Sequence, residues 1–387
     1  MKIKIFFGLS FVLLIATFAT AQVPCTPNTI RSAPLFVNWP QYGFDAAHTG
    51  CNPYESILSP NTVGKLVPKW MYDLGSLGIN SSPVVANGTV YFGSFDSNLY
   101  AVNAATGVLL WKYLTPSIIW HSPAVANGIV YVGSSVTDIP NFFALNARTG
   151  ELLWSRQIGD VPAISPIVLN GVVYVASSGN IFALDGATGT VLWKQFQNVG
   201  VFSELAVANG TVYFGAGDGS LHALDASTGT LKWRYPTDGG ARVAVVANGV
   251  VYFASDYLYA VKGDTGELLW KQTIADYASQ LAIAKGVLYA GGENNNNVYA
   301  VKAATGEILW KYPTGVTRGS IAVANGVMYV GANYGYLYAL NAANGNFLWS
   351  YDTGELLFSG PAVANGMVYL GSDQNPSHVF AFHLPGH

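Results

Sequence analysis

The stretch Ala144-Leu145-Asn146-Ala147-Arg148-Thr149-Gly150-Glu151-Leu152-Leu153-Trp154 decides the fold, because the chain keeps repeating it. Its tryptophan returns as Trp111, Trp154, Trp193, Trp233, Trp270, Trp310 and Trp349, 37 to 43 residues apart, and Trp70 stands 41 residues before the first. A period near 40 built from short apolar runs is the signature of a radially repeated β architecture. Each unit reads as four short strands, A to D. Asn-Gly pairs such as Asn127-Gly128 join A to B, with Lys285-Gly286 as the variant. Asn-Gly between apolar runs marks a tight hairpin, since both residues tolerate positive φ. Strand B carries a recurring Tyr, strand C a recurring Ala, and a Thr-Gly turn (Asn344-Gly345 in the last unit) leads into the Trp of strand D.

The count predicts how the ring closes. Eight A–B–C sets occur, but only seven are followed by a Trp strand; the last stops after Ala381, and Trp70 precedes the first set with none of its own. The expectation is an all-β, eight-bladed propeller of four-stranded antiparallel blades, its last blade completed by the N-terminal strand around Trp70. Closure removes the free edges that invite aggregation. The eight tryptophans are read as structural docking residues, each buried indole worth several kcal/mol.

At 387 residues, 51% hydrophobic and 10% charged, the chain suits a strand-rich buried fold and excludes disorder. Three segments are expected: 1–21 as a secretory signal, 22–64 as an irregular arm packed on the propeller, and 65–387 as the propeller. The leader has Lys2 and Lys4, an apolar run from Ile5 to Phe18, and Ala19-Thr20-Ala21 as a small-residue cleavage site. Its loss takes the formal net charge from −3 to −5. A mildly acidic chain without a Lys/Arg run argues against nucleic acid and against an anionic membrane surface. The expected location is the periplasm or the extracellular space, and after cleavage no integral membrane protein. Export permits a disulfide between Cys25 and Cys51, worth on the order of 3 kcal/mol for a loop of that size. In the arm, Asn38-Trp39-Pro40-Gln41-Tyr42-Gly43 is too aromatic for a free linker, and His48 reads as a packing or capping residue.

The motif Ala-x-(Asp/Asn)-x-x-Thr-Gly-x-x-x-Trp, as in Ala183 to Trp193 or Ala223 to Trp233, resembles the tryptophan-docking repeat of the pyrroloquinoline-quinone (PQQ) type β-propellers. The resemblance covers residues 65–387. It implies the propeller fold, and it implies two functional classes: quinoprotein alcohol dehydrogenases that bind PQQ and Ca²⁺, and non-catalytic relatives such as the propeller lipoprotein of the outer-membrane β-barrel assembly machinery. The dehydrogenases carry a vicinal Cys-Cys pair, capping insertions and greater length; Cys25 and Cys51 are far apart and the variable loops here are short. No Cys-x-x-Cys-His haem site, phosphate loop or nucleophile elbow occurs. Glu293-Asn294-Asn295-Asn296-Asn297 offers oxygen ligands but reads as a solvated loop.

Comparing the repeats with one another locates the variable face. From the strand-C Ala to Trp is ten residues in every unit, whereas the B–C connections run 8, 11, 7, 8, 6, 9, 8 and 10. In an up-and-down blade the B–C and D–A loops share one face, so this tailored face is the expected site. Its D–A loops depart from their own consensus at Trp120, His121, Phe202, Glu204, Arg242, Tyr277, Gln280 and Arg318. Of these, Trp120, His121, Glu204, Arg242, Gln280 and Arg318 are the candidate ligand-binding residues, and Glu204 with Arg242 is a weak catalytic candidate. The expectation is a non-catalytic, PQQ-like binding scaffold with an envelope or secreted protein partner or a small polar ligand, and no cofactor or metal. The alternative is a PQQ-dependent alcohol or sugar dehydrogenase, with Arg242 or Arg318 on the cofactor carboxylates and Trp120 stacked on its ring.

Overall fold

The computed structural model describes residues 37–386, except 76, 136–138, 160–163, 178, 197–199, 202, 238, 243, 275–277, 293–295 and 333, and except the side chain of Ser279. The leader, Cys25, Phe202, Tyr277, and parts of the 293–297 and 136–141 loops therefore lie outside the described residues.

Eight sheets of four antiparallel strands form the ring, and Cys51–Asn52 of the arm adds a parallel fifth strand to one of them, beside Ala322–Ala324. Blade 1 runs Val84–Ala86, Thr89–Gly93, Asn98–Asn103 and Leu109–Leu114, as strands A to D from the channel outward, and the pattern repeats around the ring. The A–B turns have the positive φ that the Asn-Gly pairs predict, for example 50° at Asn87 and 78° at Gly88. Blade 8 has Ala362–Ala364, Met367–Gly371 and His378–His383 from the C-terminus, and Val67–Asp73 supplies its outer strand, with Trp70 opposite Ala381. That is the pairing of Ala101 with Trp111 in blade 1. Both chain ends thus build one sheet, and the ring closes as its count demands.

Neighbouring blades are tied by a shared acceptor. Ala147 O takes Trp111 Nε1–H at 3.1 Å and Tyr91 O–H at 2.9 Å. Gly186 O takes Trp154 and Tyr131 in the same way, and Ala226 O takes Trp193 and Tyr174. At the closure the scheme changes, because blade 8 has no C–D turn. Trp349 donates to Leu66 O of the arm at 3.0 Å, and the buried Tyr329 hydroxyl finds no partner. Of the docking indoles only Trp154 is buried, at 8% exposure; the others are partly exposed, since strand D is the rim of each blade. Every D strand is blunted by a bulge at the residue before its Trp. Lys or Arg follows the Trp in blades 1, 3, 4, 5 and 6. Bulges and cations guard these open edges against pairing with other chains.

The arm does what no repeat predicts. Residues 39–52 wind once around the channel and bond to the inner strand of each blade in order. Trp39 exchanges two backbone bonds with Val85; Pro40 O, Gln41 Oε1, Ala46 O, Ala47 O, Thr49 O and Gly50 O accept the N–H of Val125, Val168, Val207, Val246, Ile283 and Val323; Asn52 Nδ2 donates to Val363 O. Inner strands of a propeller leave such groups unpaired, and a buried backbone donor without a partner is costly. The tight circle needs left-handed backbone at Gly43, Phe44, His48 and Gly50. The arm leaves across the A–B turns, where Asn365, Asn325 and Gly366 bond to Val37, Ser56, Leu58 and Glu55.

Candidate functional site

With the arm filling the channel at mid-depth, the loop-rich face holds a funnel floored by Tyr42. A mouth of about 550 Å³ is lined by Asn80, Trp120, Arg318, Phe358 and Asp373. It narrows to a recess of about 120 Å³ bounded also by Tyr42, Ser82, His121, Ser122, Ser165 and Glu204.

The positions follow from strand register. Ser82, Ser122, Ser165, Glu204 and Gln280 each lie five residues before the A–B turn of their own blade. The first four, with Gly360 at the same position of blade 8, form a belt of hydrogen bonds from blade to blade. Gly360 N donates to Ser82 Oγ (2.7 Å), Ser82 N to Ser122 Oγ (2.9 Å), Ser122 N to Ser165 Oγ (3.1 Å), and Ser165 Oγ to Glu204 Oε1 (2.9 Å). Two residues earlier, Asn80, Trp120, Arg318 and Phe358 form the next tier. Residues between the tiers turn back into their own blades, as side-chain alternation along a strand requires. Ser81, Ser203 and Ser359 accept the N–H of Gly93, Gly215 and Gly371. Arg242 is in that register, exposed, with its backbone N bonded to Ala254 O, and stands apart from the funnel lining. His121 shares the register yet faces Glu204, its Nδ1 3.4 Å from Oε1.

Of the six candidate residues, the funnel gathers Trp120, His121, Glu204 and Arg318. Gln280 borders them: its Oε1 accepts the Tyr42 hydroxyl at 3.0 Å and its Nε2 donates to Arg318 O at 2.7 Å. The Arg318 guanidinium lies 5.3 Å from the Phe358 ring centre, and Trp120 packs on Phe95 at 4.4 Å. Sequence reasoning missed Tyr42, Asn80, Phe358 and Asp373. Aligning the D–A residues by register would have found Asn80 and Phe358.

Electrostatics set the character of the floor. Glu204 Oε2 is buried without a hydrogen-bond partner. Burial, reinforced by the Glu204 charge, pushes the Tyr42 phenol well above its usual value, so it stays a neutral hydroxyl. Burial raises Asp45 to about 6 against the pull of its bonds from Thr49, and lowers His48 to about 4 against the Glu204 charge. His48 lies 4.9 Å from the Tyr42 ring, and the Ala244 backbone and the Glu204 charge both favour its protonated form without offsetting its burial.

These two shifts oppose each other. Asp45, raised on folding, contributes fully below its unfolded value near 3.8 and loses that contribution as pH climbs through 6. His48, lowered on folding, contributes fully above 6.5 and loses it as pH falls through 4. Each is worth on the order of 3 kcal/mol, so between them the wild-type slopes cancel. Urea melts at pH 4, 5 and 6 should show Asp45→Asn losing stability toward pH 4 and His48→Asn losing it toward pH 6. Parallel curves for both variants and wild type would refute this coupling.

Comparison with known proteins places this geometry. A family profile described as outer membrane protein assembly factor BamB matches residues 63–160, 118–312 and 294–383. Short segments are similar to the alcohol dehydrogenase (quinone) dehydrogenase subunit of Gluconobacter oxydans, 38% identical over 77 residues (20% of this chain, 10% of that one), and to the quinoprotein ethanol dehydrogenase of Pseudomonas aeruginosa, 34% over 76 residues (19% and 12%). The matched stretch thus spans only about a tenth of the length of these curated relatives. Among solved structures, quinohemoprotein alcohol dehydrogenase from Pseudomonas putida superposes with a TM-score of 0.75 at 17% identity, covering 95% of this chain and 83% of that one. BamB from Moraxella catarrhalis gives 0.66 at 22% identity, covering 83% and 98%. Likeness at these identities shows the shared fold. For the divalent cation that the dehydrogenase resemblance implies, the described residues gather few charged ligands in one place. No group of three or more His, Cys, Asp or Glu comes together among the described residues, whereas Ca²⁺ takes six to eight oxygens.

Proposed function

This chain belongs to the family described as outer membrane protein assembly factor BamB, and we propose that it is a non-catalytic scaffold of the exported compartment, binding a protein partner through its loop-rich face. The observation that carries this reading is the threaded arm. It fills the channel at mid-depth, so that below the open mouth of about 550 Å³ the enclosed recess above Tyr42 is only about 120 Å³, and the funnel is an open surface concavity rather than the enclosed pocket in which a cofactor is buried. The wide mouth, with Trp120 exposed at 38% and charges of both signs in Arg318 and Asp373, suits the centre of a protein interface, where aromatics and Arg anchor binding. Export rests on the leader, and no helix among the described residues is long and apolar enough to cross a membrane.

The dehydrogenase alternative keeps one observation in its favour: Trp120 and Arg318 share the funnel, an aromatic plane beside a cation. Titration with PQQ and Ca²⁺ separates the two readings. The expected result is no saturable quinone absorbance and no dye reduction with alcohols or sugars. Saturable binding with turnover, lost in Arg318→Ala or Glu204→Ala, would replace the scaffold with an enzyme. Exchanging the 136–141 loop or Trp120→Ala should weaken capture of an envelope partner at least tenfold without altering the melting temperature.

A further inference from the structure

The rim of blade 8 lacks the guard that the other rims carry. Blades 1, 3, 4, 5 and 6 set a Lys or Arg directly after the docking Trp. Blade 2 sets Arg156 one residue later, bonded to Gly189 O and Thr188 O of blade 3. In blade 7 the arm lies along the rim: Leu66 O takes the Trp349 indole, and a Cβ at Gly64 would stand 3.5 Å from Leu348 O. Blade 8 has Met71 at the guard position, 57% exposed. Among the described residues nothing pairs with the outer side of Val67–Asp73.

Alternation fixes what this edge presents. The Leu74 N–H bonds inward to Ser377 O, so the backbone groups of Met71 and Asp73 point outward. Trp70 and Tyr72 turn toward blade 1, where the indole donates to Ala104 O and the phenol ring packs on Phe92 and Tyr100. Lys69, Met71 and Asp73 share the opposite face, and all three are exposed. Pro68, which has no N–H, and the bulge at Lys69 end the pairable stretch on one side. The left-handed turn at Gly75 ends it on the other; Asp73 Oδ1 holds that turn by accepting Gly75 N–H at 2.7 Å.

We propose that this edge is a self-complementary docking strand, on which a second copy of the chain adds antiparallel across a two-fold axis at Met71. Full overlap of residues 69–73 with themselves sets Met71 opposite Met71 of the second copy. The same register sets Lys69 opposite Asp73 and Asp73 opposite Lys69, two unlike pairs from one sequence. Opposite charges directly across a strand pair stabilise it, and like charges destabilise it. A slip by two residues loses both pairs, and a slip by one turns Met71 to the wrong face. The same pairing at the other rims would set Lys112 against Lys112, or Arg234 against Arg234. So short an interface belongs to the weak, transient class, and it weakens further in salt. It uses the perimeter and leaves the funnel open, so it goes beyond the scaffold reading and stands independently of it.

Sedimentation equilibrium of the whole protein in low salt, up to about 1 mM, should fit a monomer–dimer equilibrium. Met71→Lys should weaken the dimer about tenfold or more. Lys69→Asp, which brings only carboxylates together, and Asp73→Lys, which brings only ammonium groups together, should each do the same. A 1:1 mixture of those two variants should dimerise again, because both cross-strand pairs are then unlike. That rescue also shows that neither variant failed through misfolding. Met71→Cys should give a disulfide-linked dimer on mild oxidation, since residues opposite in a hydrogen-bonded antiparallel pair stand about 5.5 Å apart at Cα. Leu110→Cys, on the rim of blade 1, should not. A monomer at every concentration, a dimer indifferent to Met71→Lys, or a mixture no better than its components would overturn the proposal.

Discussion

A chain beginning at residue 75 should not yield a folded monomer. The deletion removes Val67–Asp73, so the last blade keeps three strands and exposes the edge of His378–His383 to other chains. It removes the Trp70 indole, which donates to Ala104 O at 2.9 Å; losing such a side chain costs about 3–5 kcal/mol. It also removes the arm's bonds to all eight inner strands, at about 1 kcal/mol each. The sum rivals the entire 5–15 kcal/mol stability of an ordinary domain. Size-exclusion chromatography should show only oligomers or aggregate. A shorter deletion, of residues 37–52 alone, separates the contributions: blade 8 stays complete, water reaches the inner strands, and the result should be a monomer that melts lower. A monomeric 75–387 fragment with unchanged melting would mean that neither the strand nor the arm holds the ring.

That contrast also shows which features a sequence carries. The blade count and the register of Trp70 against Ala381 were legible, because the repeat recurs and every copy checks the others. The arm's aromatic patch signalled packing but not a path. Six of its contacts use backbone carbonyls, such as Pro40 O, Ala46 O and Gly50 O, which no side-chain pattern encodes. The funnel was half legible for the same reason. Trp120, Glu204, Gln280 and Arg318 stood out as breaks in a repeat, whereas Tyr42 belongs to the arm and has no counterpart to break from. Arg242 stood out equally but lies one residue off the tiers that line the funnel, in a register it shares with His121, and is exposed.

Trp154→Ala and Gly189→Ala, alone and together, test whether the repeated docking contact is a lock between indole and turn. Trp154 is 8% exposed, donates to Gly186 O at 2.9 Å and packs on Tyr131 and Phe142. Its truncation should cost about 3–5 kcal/mol. Gly189 sits at φ +69°, and a Cβ there would lie 2.7 Å from the indole. Gly189→Ala therefore carries two penalties, about 1–2 kcal/mol for left-handed backbone and a clash that must displace the ring. Removing the indole abolishes the second penalty and leaves the first. The double variant should therefore be more stable than the sum of the singles by about 1–3 kcal/mol, the range for residues in direct contact, read as midpoints in guanidinium. Distant pairs such as Trp154→Ala with Gly306→Ala, whose own indole is Trp270, should simply add. Additivity in the 154/189 pair would mean that the turn and the indole do not bear on each other, and the blade-to-blade lock would then reside in the shared carbonyl at Gly186 alone.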